Sequence, residues 1–254
     1  MPKRTTRADP IRIGVGGWTY EPWRGVFYPP DLPHSRELEF ASTHLSSIEV
    51  NGTYYGLQKP ATFSKWHEET PDDFVFSLKA PRFVMNRRVL ASAGEAMGRF
   101  LDSGLVRLKH KLGPINWQFL PTKAFDDADV EAFLKLLPKE KAGLPLRHAL
   151  EVRHESFRSD EFIELARRHG VAIVIAGDSP YPEISEATAP FVYARIKGTT
   201  KSRKSGYSEA ALDRWAKRAR DWSKAREVFL YVIGGHKVSN PAAAMALIKR
   251  IAPD

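Results

Sequence analysis

Eight short apolar runs rich in Val, Ile and Phe, helical patterns between them, and a length of 254 residues predict an α/β protein. The expected architecture is a single, somewhat irregular (β/α)8 TIM-like barrel. Strands that alternate with helices form parallel sheets, and eight strands in a chain of this size favour closure over an open doubly wound sheet. The composition agrees, because 43% hydrophobic with 27% charged residues suits one well-filled core without staples.

The strands are expected near Ile11–Val15, Ser46–Val50, Phe74–Leu78, Ile115–Phe119, His148–Val152, Val171–Ala176, Phe191–Ile196 and Val228–Ile233. Periodicity of 3.6 residues marks helices at Glu95–Lys109, Ala128–Leu137, Asp160–His169, Ser208–Ala225 and Pro241–Ile251. Ser208 with Glu209 opens one helix, Asn240-Pro241 opens the last, and Gly170 closes another after Arg167, Arg168 and His169. The stretch from Gly177 to Pro190 holds three prolines and is too short for a full crossover helix, which makes the barrel irregular. The first Gly-rich turn, Gly14-Val15-Gly16-Gly17, lacks the dinucleotide-binding spacing. Residues 1–10 read as a disordered basic tail and residues 11–254 as the barrel domain.

Composition narrows the chemistry. With no cysteine, disulfides and thiolate catalysis are excluded, and a metal would need His, Asp or Glu. That usage fits a reducing cytoplasm, the expected location. No apolar run is long enough to span a membrane, and the basic start has no apolar segment behind it to form a signal peptide. A net charge of +9 favours anionic partners.

Catalytic residues of α/β barrels sit at the C-terminal ends of the strands. In Ala149-Leu150-Glu151-Val152-Arg153-His154, strand alternation directs Ala149, Glu151 and Arg153 to one side and Leu150, Val152 and His154 to the other. Other strands also end in polar groups. These are Trp18 and Tyr20, Glu49 and Asn51, Lys79, Gln118, Asp178, Arg195 with Lys197, and His236 with Lys237. Any single pair, such as Glu151 with Arg153 or Glu49 with Lys79, could simply tie strands together. As a set they imply a site, because each buried charge costs several kcal/mol. Glu49 and Glu151 suit acid/base work from opposite sides of the barrel, with Lys79 beside them. Arg153, Arg195 and Lys197 suit anion binding, supported by Asn51, Trp18, Tyr20, Gln118, Asp178 and His236. The loops Lys197–Tyr207 and Gly234–Asn240 offer backbone N–H groups for a phosphate, and Trp23, Phe27 and Tyr28 are expected to plug one end of the barrel. No His-x-His or His-Glu-x-x-His spacing is present, so neither a metal nor a cofactor is expected.

Several stretches resemble one family along nearly the whole chain. They begin with Gly16-Gly17-Trp18-Thr19-Tyr20 and Trp23-Arg24-Gly25-Val26-Phe27-Tyr28-Pro29, then Ile48-Glu49-Val50-Asn51 with Thr53-Tyr54-Tyr55. Next come Trp66, Thr70-Pro71, Phe74–Lys79 and Leu112-Gly113-Pro114 with Gln118, then Glu151-Val152-Arg153-His154 and Arg195-Ile196-Lys197-Gly198. The pattern resembles the YecE-like proteins, also called domain of unknown function 72. The resemblance implies a TIM-barrel-like fold and little about activity. Two loops depart from the pattern: Val84-Met85-Asn86 stands where the family has a Thr-His pair, and Gly234-Gly235-His236-Lys237 replaces an Asn-Asn-Asp-like run.

These residues predict an enzyme, a hydrolase, isomerase or lyase, that acts on a small phosphorylated or carboxylated anion with Glu49 and Glu151 exchanging protons. The +9 charge and basic loops support an alternative, a barrel that binds or processes nucleic acid. A non-catalytic ligand sensor is the third reading. A membrane is not an expected partner.

Overall fold

The computed structural model describes residues 10–252. Nine parallel strand segments form the main sheet: β1 (Ile11–Gly16), β2 (Ser47–Val50), β3 (Val75–Lys79), β4 (Leu112–Gln118), β5 (His148–Glu151), β6 (Ala172–Ile173), β7 (Ile175–Gly177), β8 (Phe191–Ile196) and β9 (Glu227–Val232). The order is β6-β5-β4-β3-β2-β1-β9-β8-β7. The two outermost segments, β6 and β7, are consecutive pieces of one strand broken at Val174. β6 pairs with β5 and β7 pairs with β8, so the nine segments occupy eight positions and the barrel closes across the break. The Val174 amide bridges it by donating to the Leu150 carbonyl at 2.9 Å. The chain is therefore a (β/α)8-like barrel.

Seven helices of eight or more residues surround these strands: α1 (Glu37–His44), α2 (Pro60–Glu68), α3 (Gly94–Leu101), α4 (Asp127–Leu136), α5 (Asp160–His169), α6 (Glu209–Ser223) and α7 (Asn240–Ile251). The expected caps form. Ser208 accepts from the Ala211 amide at the start of α6, and Gly170 ends α5 at φ 65°, a left-handed turn that suits a residue without Cβ. Residues 178–190 contain no helix, as their prolines require. The helix expected over Glu95–Lys109 is shorter. It stops at Leu101, Gly104 takes φ 104°, and Leu105–Lys111 continues as 3-10 turns. Helices α1 and α2 are additions to the expected elements, and α1 carries no clear periodic signal. Of the tail expected over residues 1–10, residues 1–9 lie outside the described residues, and the Pro10 carbonyl already pairs with the Val228 amide.

Two apolar layers result. The larger packs the outer faces of the strands against the helices. The smaller lies inside the barrel and contains Val75, Ala149, Val174, Phe191, Tyr193, Phe229 and Tyr231. β1 presses against β2 closely enough that a Cβ at Gly14 would sit 1.8 Å from the Ser47 carbonyl oxygen. Trp23, Phe27 and Tyr28 do not plug the lumen. They stack on one another and reach Phe40 of α1, while Tyr28 Oη donates to the Trp18 carbonyl at 2.7 Å. This aromatic knot braces the first loop at the rim.

Candidate anion-binding site at the barrel mouth

The inward positions of the strands change character from bottom to top. At mid-height Tyr231 bonds Ser47 and Tyr193 bonds Ser77, each at 2.7 Å, so the buried hydroxyls satisfy one another. One step higher the lumen becomes ionic. Glu49 on β2 and Glu151 at the end of β5 are both fully buried, and Arg195 on β8 lies between them. Its Nη2 donates to Glu49 Oε1 at 3.0 Å and its Nη1 to Glu151 Oε2. Glu49 Oε2 also accepts from Tyr193 Oη at 2.6 Å and from Asn116 Nδ2 at 3.1 Å. Glu151 is held by Lys197 at 2.8 Å, by Arg153 Nη2 at 3.1 Å and by Gln118 Nε2 at 2.6 Å.

The surroundings set the charge states. Burial alone would raise the Glu151 carboxyl, but Arg195, Lys197 and Arg153 hold it well below its ordinary value. Burial works against the Arg195 guanidinium, yet Glu151 and Glu49 keep it firmly charged. The Tyr193 hydroxyl is pushed up by burial and by Glu49, so it stays a proton donor to that carboxylate.

Lys79 differs from the other cations of the mouth. Among the described residues no carboxylate lies within 4.0 Å of its ammonium, which rests 4.0 Å from the centre of the Tyr54 ring. The Glu49–Lys79 ion pair that the sequence allowed is therefore not formed. Burial and the nearby Arg195 lower this amine to about 8, against the pull of Glu49 and Glu151. Four cations (Lys79, Arg153, Arg195 and Lys197) thus face two carboxylates, a surplus of two positive charges. Arg153 and Lys197 share a lid, with Tyr181 lying 4.5 Å and 4.8 Å from them.

Of the residues singled out from sequence, Glu49, Lys79, Gln118, Glu151, Arg153, Arg195 and Lys197 converge in this cluster. Trp18 and Asn51 line an adjoining cavity. Tyr20 lies under the Lys237 ammonium at 3.9 Å. Asp178 and His236 make their hydrogen bonds elsewhere. Asp178 has φ 52° and accepts from Trp215 Nε1 of α6 at 2.8 Å. His236 bonds Ser239 at 2.9 Å and braces a 3-10 turn. His154, which alternation directs away from Glu151, caps the turn Glu155–Phe157. The loops after β8 and β9 are tied to each other and within themselves. The His236 amide donates to the Thr199 carbonyl, Gly198 N to Tyr207 Oη, and Thr199 Oγ1 to Asn240 Oδ1 at the start of α7. Part of the backbone that would seat a phosphate is therefore engaged by protein groups. Among the described residues no group of His, Asp and Glu has the arrangement of a metal site.

Asn116, Tyr193 and Tyr181 belong to the cluster without having been singled out. Asn116 shares the inward face of β4 with Gln118, two residues away, and Tyr193 shares that of β8 with Arg195, so alternation carried a signal for both. Tyr181 lies in a proline-rich loop with no such signal.

Residues 12–254 match the family described as protein of unknown function DUF72. The chain belongs to this family. Over 150 residues the DUF72 chain is 29% identical to the UPF0759 protein YecE of Escherichia coli strain K12, a match covering 58% of this chain and 50% of that protein. The matched stretch is thus about half the length of that curated relative. A crystal structure of a DUF72 family protein from Thermotoga maritima superposes with TM-score 0.76 at 22% identity, covering 95% of this chain and 98% of that one. A D-psicose 3-epimerase from Clostridium cellulolyticum H10, solved with D-tagatose, shares the barrel fold at TM-score 0.54 and 12% identity, over 94% and 95% of the two chains. Among the described residues no helix is long and apolar enough to cross a membrane.

Proposed function

We propose that the mouth of this barrel binds a small phosphorylated or carboxylated anion and acts on it by proton transfer. The observation that carries this reading is the surplus of positive charge, with Lys79 left without a carboxylate partner in a buried setting. Glu49 and Glu151 have every oxygen engaged and no exposure, so their role is to hold Arg195, Arg153 and Lys197 in place. This reading moves proton transfer from the two glutamates, where the sequence suggested it, to Lys79. An amine with a value near 8 exchanges protons readily near neutral pH.

The test is isothermal titration with inorganic phosphate and with citrate at low salt. Saturable binding is expected, weakened about tenfold or more by Arg153→Ala and by Lys79→Met, each of which removes a charged contact. Absence of saturable binding in the unmodified protein would overturn the reading. Binding with no turnover of any phosphorylated or carboxylated compound in a panel would remove its catalytic half and leave a ligand sensor. The exposed Lys201, Arg203 and Lys204 favour the nucleic-acid alternative, which predicts retention of an oligonucleotide that falls steeply with salt. The anion reading expects no such retention at physiological salt.

A further inference from the structure

Beside the ionic mouth lies a cavity of about 320 Å³, within the size range of small-molecule sites. Trp18, Val50, Asn51, Tyr55, Trp66 and Lys237 line it. Its walls are aromatic: Trp18 meets Trp66 edge-on at 5.2 Å, and Tyr55 is 69% exposed although it is a large ring. An exposed aromatic at the edge of a cavity that two tryptophans also line offers a face for stacking.

The cavity adjoins the mouth. Tyr54 packs edge-on against Tyr55 at 5.2 Å and carries Lys79 on its ring. Asn51 follows Glu49 by two residues, just past the end of β2, so their Cα atoms lie about 7 Å apart. A short linker therefore spans from one site to the other.

The polar groups define what the cavity takes. Among the described residues the Asn51 side chain makes no hydrogen bond, which leaves both a donor and an acceptor free. Gln58 uses one N–H on the Gly56 carbonyl at 3.3 Å and keeps its own carbonyl free. Such amides suit a ring edge that carries heteroatoms. Lys237, with no carboxylate within 4.0 Å among the described residues, disfavours a cationic guest. A purely aliphatic guest would leave both amides unmatched.

We propose that the ligand of the mouth carries a planar heteroaromatic ring that stacks on Trp18 and Tyr55, with its anionic group at Lys79 and the cations beyond it. This deepens the anion reading and rests on it. The shared chemistry is a heteroaromatic ring joined by a short linker to a phosphate or a carboxylate. Nucleoside monophosphates and ring carboxylates both supply it.

The experiment measures binding of adenosine 5′-monophosphate, ribose 5-phosphate and adenosine to the full chain, by calorimetry and by tryptophan fluorescence. Nicotinate against acetate makes the same comparison for a carboxylate. The ring-bearing member of at least one pair is expected to bind about tenfold or more tighter than its ringless partner. Tyr55→Ala, on an exposed side chain that folding does not need, and Trp18→Leu should each remove most of that advantage. Lys79→Met should weaken both members of each pair and leave adenosine unchanged. If ringed and ringless anions bind alike, the ring proposal fails while the anion reading stands. If adenosine binds in a Trp18-dependent way and no anion does, the anion reading fails and the stacking cavity stands. A ring advantage that survives both aromatic variants overturns the assignment to this cavity.

Discussion

At the lower end of the barrel Arg147 pairs with Glu227 at 2.5 Å, and Arg12 approaches Glu227 at 3.8 Å. Both partners of the Arg147–Glu227 pair keep about a third of their side-chain surface in water, at 29% and 33%. At the mouth the Arg195 side chain keeps 3% and Glu49 and Glu151 keep none. The contacts are of the same kind, but the desolvation is not. Water moderates the lower cluster and screens it, so it serves to finish the barrel cheaply. In the upper cluster Arg195, Glu49 and Glu151 depend on one another, because any of these three left alone is an uncompensated buried charge. A barrel built for stability alone would place aliphatic side chains there, as it does around Val75 and Ala149 a layer below.

The largest effect should come from breaking the sealed cluster. Glu151→Ala leaves Arg195, Arg153 and Lys197 without their common partner and should cost about 3–5 kcal/mol in urea unfolding. Glu151→Gln adds a pH signature. The folded carboxyl lies below its unfolded value of 4.5, so its stabilisation is complete above that value and is lost as pH falls through the folded one. The acid limb of the stability curve should therefore flatten in Glu151→Gln. A cost under about 1 kcal/mol would erase the contrast between the two ends.

A smaller effect of opposite sign is expected at Lys79. Its amine is lowered to about 8 from 10.5, so folding disfavours the charged form below that range and stability rises with pH between the two values. Lys79→Met should stabilise the protein at pH 7 by about 1–2 kcal/mol in thermal unfolding while weakening anion binding about tenfold or more. A loss of stability instead would make Lys79 a structural group. The smallest effect belongs to Arg147→Ala, about 1 kcal/mol, and it should shrink further at high salt in the same denaturation assay.

The fold and much of the mouth were legible in the sequence because both depend on strand alternation. Glu49, Gln118, Glu151 and Arg195 were legible as polar breaks in otherwise apolar strands. Past the last strand residue alternation is a weaker guide, which still holds for Arg153 and Lys197 but not for Asp178 and His236. Asp178 turns through a positive φ toward Trp215, and His236 bends into its own turn. Pairing was illegible as well. No pattern in one strand says that Glu49 meets Tyr193 and Asn116 rather than Lys79, because strand neighbours are set by closure of the whole sheet. Helix α1, Glu-Leu-Glu-Phe-Ala-Ser-Thr-His, mixes polar and apolar residues with too little order to announce itself.

Arg195 stretches across the lumen from one carboxylate to the other, with Tyr193 and Tyr231 directly beneath it. It makes a floor. Descending past that crossbar would mean pulling apart two ion pairs. For the anion proposed above, extra contacts would then be gained sideways, and breadth across the rim, more than length along the barrel axis, would set which molecules fit.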